Sequence, residues 1–387
     1  MAKVVVSRRL SDPAIDALKS CKEIDIVLWE PDRKADREWL LSNVVGAVGL
    51  VVTLTDKVDK CLIDAAGPSL KVVSTMSVGY DHVDIAILKA RGIKLGFTPD
   101  VLTDAVADIA VMLALMASRN VKQASNGDSP YRKCKLCKPY AICQPSFEYH
   151  DSQWTNTPWS PSLLTGPQLS TPGTTVGFIG FGRISRATLA RLVPFRISRV
   201  VYTRSSSPPV PTNDLALLSE FPTLKEAKWL GLDELARECD FVFVLTPGGE
   251  ATKHLVGKDF LSKMKKNAVL VNPGRGSQSY ILTSALVMRM SQGAKADQSN
   301  EFLGSVVDSN ALAEALKEGH IWGAGLDVVD GEPNIPADHA LVKEPRAVVL
   351  PHIGSATVQT RLDMAQLAVS NLIAGIRGER MPSEAAL

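Results

Sequence analysis

The chain has 387 residues, of which 45% are apolar and 22% charged, and its formal net charge is +2. That length allows two domains of ordinary size, and the composition is that of a folded globular protein, so no disordered or fibrous class is needed. The near-neutral charge gives no reason to expect nucleic acid or an anionic membrane as the main partner, although local basic residues can still hold small anions.

The N-terminus runs directly into the strand-like triplet Val4-Val5-Val6 and lacks the apolar core and cleavage site of a signal peptide. The longest apolar stretch, Ile109 to Ala117, spans nine residues. That is about half of the roughly 20 needed to cross a bilayer, so a buried helix is expected there and no membrane span. Cys21, Cys61 and Cys239 are scattered singly, which suits small apolar fillers in a reducing compartment. The final residues carry no Ser-Lys-Leu peroxisomal address, and a cytoplasmic protein is expected.

In chain order, short apolar runs alternate with helix-like stretches. Val4 to Val6 precedes Pro13 to Lys19; Ile24 to Leu28, Ala47 to Thr53 and Leu70 to Ser74 follow, then His82 to Arg91. This is the rhythm of a parallel sheet with helices on its faces, because each parallel strand needs a crossover connection. Leu102 to Asn120, with Asp104 and Asp108 on its early turns, reads as a bridging helix. The alternation restarts at Thr175 to Ile179 and continues through Ile184 to Leu192, Val200 to Thr203, Leu232 to Ala236, Phe241 to Leu245, Phe260 to Met264, Ala268 to Asn272 and Ala311 to Glu318. A final helical run, Gln359 to Gly375, is expected to return to the first lobe. The predicted fold class is α/β, with two doubly wound parallel-sheet, Rossmann-like domains and an interdomain cleft as the default site.

Gly177-Phe178-Ile179-Gly180-Phe181-Gly182 follows a strand-like run and opens a helix, the context that raises a glycine loop above a chance match. Gly180 allows the tight turn, Gly182 lets backbone approach a pyrophosphate, and the helix N-terminus supplies unpaired N–H groups. Ser185 stands where a third glycine or alanine is usual, which weakens the match. The next strand ends in Arg204 and Ser205, where an acid would hold a ribose 2′-hydroxyl. A guanidinium with hydroxyls suits a 2′-phosphate instead, so NADP(H) is favoured, with NAD(H) still possible.

Val269 to Pro273 is a buried-strand pattern that places Arg275 at a strand's carboxyl end, where its guanidinium can fork onto a carboxylate or polarise a carbonyl. Further on, Gly325-Leu326-Asp327-Val328-Val329-Asp330-Gly331-Glu332-Pro333 is followed by Leu350-Pro351-His352-Ile353-Gly354-Ser355, pairing an ionisable Glu with a His framed by Pro and Gly.

With Ser77 to Asp84, Thr103 to Asp108 and Asn272 to Gly276, these motifs make the chain resemble the D-isomer-specific 2-hydroxyacid dehydrogenases, and among them the glyoxylate/hydroxypyruvate reductases. The resemblance implies His352 as acid/base, Glu332 as its partner and Arg275 as substrate anchor. It implies that N–H groups around Val78 and Gly79 hold the substrate carboxylate, that Arg183 and Ile184 meet the cofactor phosphates, and that Thr246 and Pro247 lie by the adenosine. Asp327 would meet the nicotinamide carboxamide, and Pro273 and Gly354 would also contact cofactor. The chemistry is sensible in itself, since a carbonyl oxygen that gains a proton near neutrality is well served by an imidazole. His82, His254, His320 and His339 lack such settings and read as structural.

On the same resemblance, residues 1–101 would be a substrate domain, 102–353 the NAD(P)-binding domain, and 354–387 a helix returning to the first. Trp154 and Trp159 would pack across a homodimer contact. The substrate class is a small 2-oxo or 2-hydroxy acid, with glyoxylate and hydroxypyruvate the best fit. Two rivals are a D-3-phosphoglycerate dehydrogenase-like enzyme, whose regulatory domain has no counterpart here, and a non-catalytic NAD(H)-sensing corepressor-type protein, against which Arg204 argues.

Residues 127–150 and 278–305 break the pattern, and removing them rejoins the flanking motifs at spacings that suit the family. They read as translated introns or splice variants, with lineage-specific loops as the alternative. Cys134, Cys137, Cys143 and His150 fall short of a zinc pattern, and no metal is expected. The second segment begins three residues after Arg275 and would weaken the enzyme by displacing that side chain.

Overall fold

The computed structural model describes residues 1–122, 166–204, 212–249, 252–274, 306–332 and 335–387. Both unusual segments, the Trp154 and Trp159 stretch, the cysteine cluster, Ser205 and Arg275 lie outside the described residues. The chain folds into two compact units: Met1–Ala105 with Ser355–Leu387, and the described residues from 106 to 354.

The first unit is built on β1 (Ala2–Val6), β2 (Ile24–Leu28), β3 (Gly49–Val52), β4 (Val72–Thr75) and β5 (Lys94–Gly96), in the order β2-β1-β3-β4-β5. Every pair is parallel. Val5, Leu50, Val52, Val73 and Leu95 enter one core, while Val4, Val6, Val51 and Val72 enter another on the opposite face. Burial on both faces is why these strands read as continuous apolar runs. The helix Val358–Arg377 covers the second face through Ala365, Val369 and Leu372. Its Ala368 carbonyl accepts from the Ser74 hydroxyl at 2.7 Å.

The expected helix at His82 starts later, at Ile85. Asp84 caps it by accepting from the Ile87 N–H at 3.1 Å, which leaves His82 in the loop before it. The helices Arg37–Asn43 and Lys60–Ala66 and strand β5 were not foreseen; they are only seven, seven and three residues long, too short for a periodic signal.

The second unit carries β6 (Thr175–Ile179), β7 (Arg199–Thr203), β8 (Glu226–Trp229), β9 (Phe241–Val244), β10 (Val269–Asn272), β11 (Gly323–Leu326) and β12 (Ala347–Val349). Their order is β12-β11-β10-β9-β6-β7-β8, again all parallel. The winding reverses between β6 and β9, and the carboxyl ends of strands at such a reversal are where open α/β sheets bind ligands. Among the described residues no helix is long and apolar enough to cross a membrane.

Strand β11 has no β-branched residue because the helix Thr103–Ser118 lies directly on it. A methyl group at Gly325 would fall 2.7 Å from the Leu113 carbonyl oxygen and 2.8 Å from its Cβ. The Trp322 indole N–H fixes the same helix by donating to the Ser118 carbonyl at 3.1 Å. Gly325→Ala is therefore expected to lower unfolding stability by about 2 kcal/mol in urea titration, the usual scale of overpacking; an unchanged midpoint would show that the helix can lift away.

Candidate active site

Because β11 and β12 pair in parallel, with Leu326 opposite Val349, the loops that leave them emerge side by side. The first loop turns at Gly331, whose φ of +93° suits glycine, and presents Glu332. The second presents His352. The His352 Nδ1 and Glu332 Oε2 lie 2.8 Å apart, and since the carboxylate can only accept, Nδ1 carries the proton. The His352 side chain is 29% exposed and that of Glu332 14%, so the acid is the more buried partner. The other Glu332 oxygen accepts from the Val329 N–H at 2.7 Å, which fixes the carboxylate before it meets the imidazole.

Asp327, the first residue after β11, grips the loop that carries His352. It is fully buried, and its two oxygens accept from the N–H groups of Ile353 at 2.8 Å and Gly354 at 2.7 Å. Gly354 is required by this closeness, since a Cβ there would stand 2.8 Å from the Asp327 Oδ2. His352 itself holds a φ of +55°, a left-handed backbone that a non-glycine residue adopts at a cost of about 1–3 kcal/mol. Asp327 offsets that strain with two charge-assisted hydrogen bonds on the residues that follow.

The glycine loop sits at the other side of the sheet's reversal. Gly180 has a φ of +84°, and a Cβ there would lie 2.6 Å from the Thr246 Cα, so both conformation and space demand glycine. Gly182 precedes the helix Arg183–Leu192 with nothing within 4 Å of a built Cβ, which leaves room at the helix N-terminus for a phosphate. Ser185 fits in place of the third glycine because its hydroxyl donates to the Gly180 carbonyl at 2.8 Å. Thr246 abuts Gly180, and the Pro247 carbonyl accepts from the Thr252 hydroxyl at 2.7 Å. Arg204, just past β7, lies over the rings of Phe181 at 5.8 Å and Tyr202 at 5.5 Å. Its Nε is buried without a hydrogen-bond partner among the described residues. These features fit a dinucleotide, with a donor left over for its ribose side.

Val78 and Gly79 lie in the first unit, on the loop after β4. Pro273 lies beside Gly354, its carbonyl oxygen 3.4 Å from a Cβ built there. Three supports escaped the sequence reading. The Asp330 N–H donates to the Ser309 hydroxyl at 3.0 Å, and the His254 Nε2 lies 3.0 Å from the Asp330 carboxylate, so His254 and Ser309 brace the loop that carries Glu332. The grip of Asp327 on residues 353 and 354 is the third. Isolated His, Ser and Asp residues at large sequence separation carry no local signal of such contacts.

The model of the D-isomer specific 2-hydroxyacid dehydrogenase catalytic domain matches residues 4–386. The chain belongs to that family. This dehydrogenase is thus an oxidoreductase that works with a nicotinamide cofactor. It is 38% identical to the human glyoxylate reductase/hydroxypyruvate reductase over 384 residues, covering 99% of this chain and 98% of that one. It is 37% identical to the glyoxylate reductase of Thermofilum pendens, covering 98% and 93% respectively. Among solved structures, the NADPH-dependent glyoxylate/hydroxypyruvate reductase of Sinorhizobium meliloti, in complex with NADP and malonate, superposes with a TM-score of 0.70 at 30% identity, covering 100% of this chain and 97% of that one.

Burial holds the Asp327 carboxyl above the usual carboxylate range, against the opposing pull of the Ile353 and Gly354 N–H groups and of His352. A raised value in the folded state means that the protonated form contributes stability below the unfolded-state pKa, and that this contribution is lost as pH rises through the folded value. Urea midpoints of the dehydrogenase are therefore expected to fall relative to those of Asp327→Asn as pH is raised through and just above the usual carboxylate range. Curves that stay parallel would contradict the raised value.

Proposed function

We propose that the chain is an NADPH-preferring reductase of small 2-oxo acids, turning glyoxylate into glycolate and hydroxypyruvate into D-glycerate. The contact of 2.8 Å between His352 and Glu332 carries this reading. When bound, the nicotinamide supplies the hydride that the carbonyl carbon receives. His352 supplies the proton for the carbonyl oxygen from Nε2, the ring nitrogen that does not face Glu332. Glu332 fixes the ring's orientation and balances the charge of the imidazolium before transfer. Arg275 anchors the substrate, and the N–H groups of Val78 and Gly79 receive its carboxylate. Reduction leaves a hydroxyl on the former carbonyl carbon and a neutral imidazole that regains its proton from water.

On the cofactor side, Gly180, Gly182, Arg183 and Ile184 take the pyrophosphate, and Thr246 and Pro247 the adenosine. Pro273, Asp327 and Gly354 lie toward the nicotinamide. The Nε of Arg204, unpartnered among the described residues, supports a 2′-phosphate there, with Ser205, the next residue in sequence, as a further contact. The human relative named for both substrates and the Sinorhizobium meliloti enzyme named for NADPH support the same choice. Residues 1–101 with 354–387 serve as substrate domain and 102–353 as cofactor domain. The Trp154 and Trp159 stretch supports a homodimer, and the scattered cysteines a cytoplasmic setting.

Steady-state kinetics with NADPH and glyoxylate tests these assignments. His352→Asn is expected to lower kcat by about 10²- to 10⁴-fold, the usual contribution of a positioned acid, with Glu332→Gln losing less; wild-type rates in either would remove the acid/base assignment. Arg204→Ala is expected to cost about 10- to 100-fold in kcat/KM with NADPH while leaving NADH nearly unchanged, the scale of a lost charge-assisted contact. Equal losses with both cofactors would show that Arg204 does not read the 2′-phosphate.

A further inference from the structure

The end of β4 and the loop that leaves it contain a buried chain of polar groups that take no part in the proton or hydride transfer. The Ser77 hydroxyl donates to the Gly79 carbonyl at 2.7 Å. The Thr75 hydroxyl lies 2.7 Å from the Ser77 hydroxyl and 2.9 Å from the Nε2 of His82. All three side chains are buried, at 0%, 6% and 8% exposure for Thr75, Ser77 and His82. A hydroxyl has one proton to give, and this fixes the direction of every bond. Ser77 spends its proton on Gly79, so Thr75 must donate to Ser77. Thr75 then has no proton left, so Nε2 of His82 must be the donor to Thr75.

The chain is therefore directional: His82 Nε2–H to Thr75, Thr75 to Ser77, Ser77 to the carbonyl of Gly79. It holds that carbonyl, and with it the peptide unit from Gly79 to Tyr80. The N–H groups of Val78 and Gly79, in the same turn, make no hydrogen bond among the described residues. The backbone of the loop is also tied from both sides, since the Thr98 N–H donates to the Ser77 carbonyl at 2.8 Å and the Val58 N–H to the His82 carbonyl at 2.9 Å. Thr98 thus holds the peptide unit that carries the Val78 N–H, and the side-chain relay holds the unit from Gly79 to Tyr80; the unit that carries the Gly79 N–H is clamped between these two.

Resting on the reductase reading above, we propose that His82 is a positioning residue for the substrate carboxylate, acting through Thr75 and Ser77 to hold the turn that presents the N–H groups of Val78 and Gly79. An anion bound to two backbone N–H groups depends on their alignment, since hydrogen bonds weaken steeply away from linearity. His82 thereby sets affinity for the acid without touching it, and it does so as the Nε2–H tautomer.

The test is titration of oxalate, a carboxylate with no carbonyl to reduce, into the full chain saturated with NADPH. His82→Ala and Thr75→Val are each expected to weaken oxalate binding about tenfold, in line with loss of a buried hydrogen bond, with NADPH affinity kept within about twofold. His82→Gln, which can still donate, is expected to restore most of the loss. Ring ¹⁵N spectra of His82 are expected to show the proton on Nε2. Unchanged oxalate affinity in both variants, a wild-type protein that does not bind oxalate, or a His82 ring protonated on Nδ1 alone overturns the proposal. If the wild-type protein reduces no 2-oxo acid and yet loses oxalate affinity in His82→Ala, the relay stands and the reductase reading falls.

Discussion

Parallel pairing of β11 with β12 brings together a carboxylate and an imidazole twenty positions apart in sequence. Parallel strands end on the same edge of a sheet, so the residues just beyond two neighbours are held within a few ångströms by backbone hydrogen bonds rather than by flexible loops. Glu332 and His352 lie on the short loops that leave those two ends, six residues past Leu326 and three past Val349. Asp327 reinforces this edge: from the end of β11 it ties down the residues that follow His352. Glycine at 323 and 325 is part of the same arrangement, because it lets the helix Thr103–Ser118 press onto β11 closely enough to bury that strand completely.

A site built this way stores strain where the chemistry is. His352 keeps a left-handed backbone, and the residues around it compensate: Asp327 with two accepted N–H bonds, Glu332 with one carboxylate oxygen held by Val329 and the other on the ring. Second supports lie further back, where His254 and Ser309 hold Asp330. Residues this remote from the reacting atoms matter because small displacements of an acid cost rate steeply.

The parallel-sheet rhythm was legible because strands buried on both faces are apolar throughout, as in Val4 to Val6 and Phe241 to Val244. Strand β11, Gly-Ala-Gly-Leu, was legible as a motif but not as a strand, since close packing had replaced its β-formers with glycine. The pairing of Glu332 with His352 could be anticipated from motif context. The use of Asp327 could not, because its partners are backbone N–H groups, which every residue has. Ser185 looked like a departure from the glycine pattern and is instead a hydrogen bond to Gly180. His82 falls within the motif Ser77 to Asp84, yet nothing local signalled its contacts: its partners, Thr75 and Ser77, are common residues whose hydroxyl directions become fixed only when the three are seen together.

If the edge of the sheet makes Glu332 and His352 one device, Glu332 should contribute nothing once His352 is gone. Single-turnover oxidation of NADPH by glyoxylate in a double-mutant cycle of Glu332→Gln and His352→Asn reads this directly. The double variant is expected to be no slower than the slower single variant, because groups that act as a unit are strongly non-additive. Rate losses that multiply would mean that the two side chains contribute independently, and that their contact does not make the proton donor.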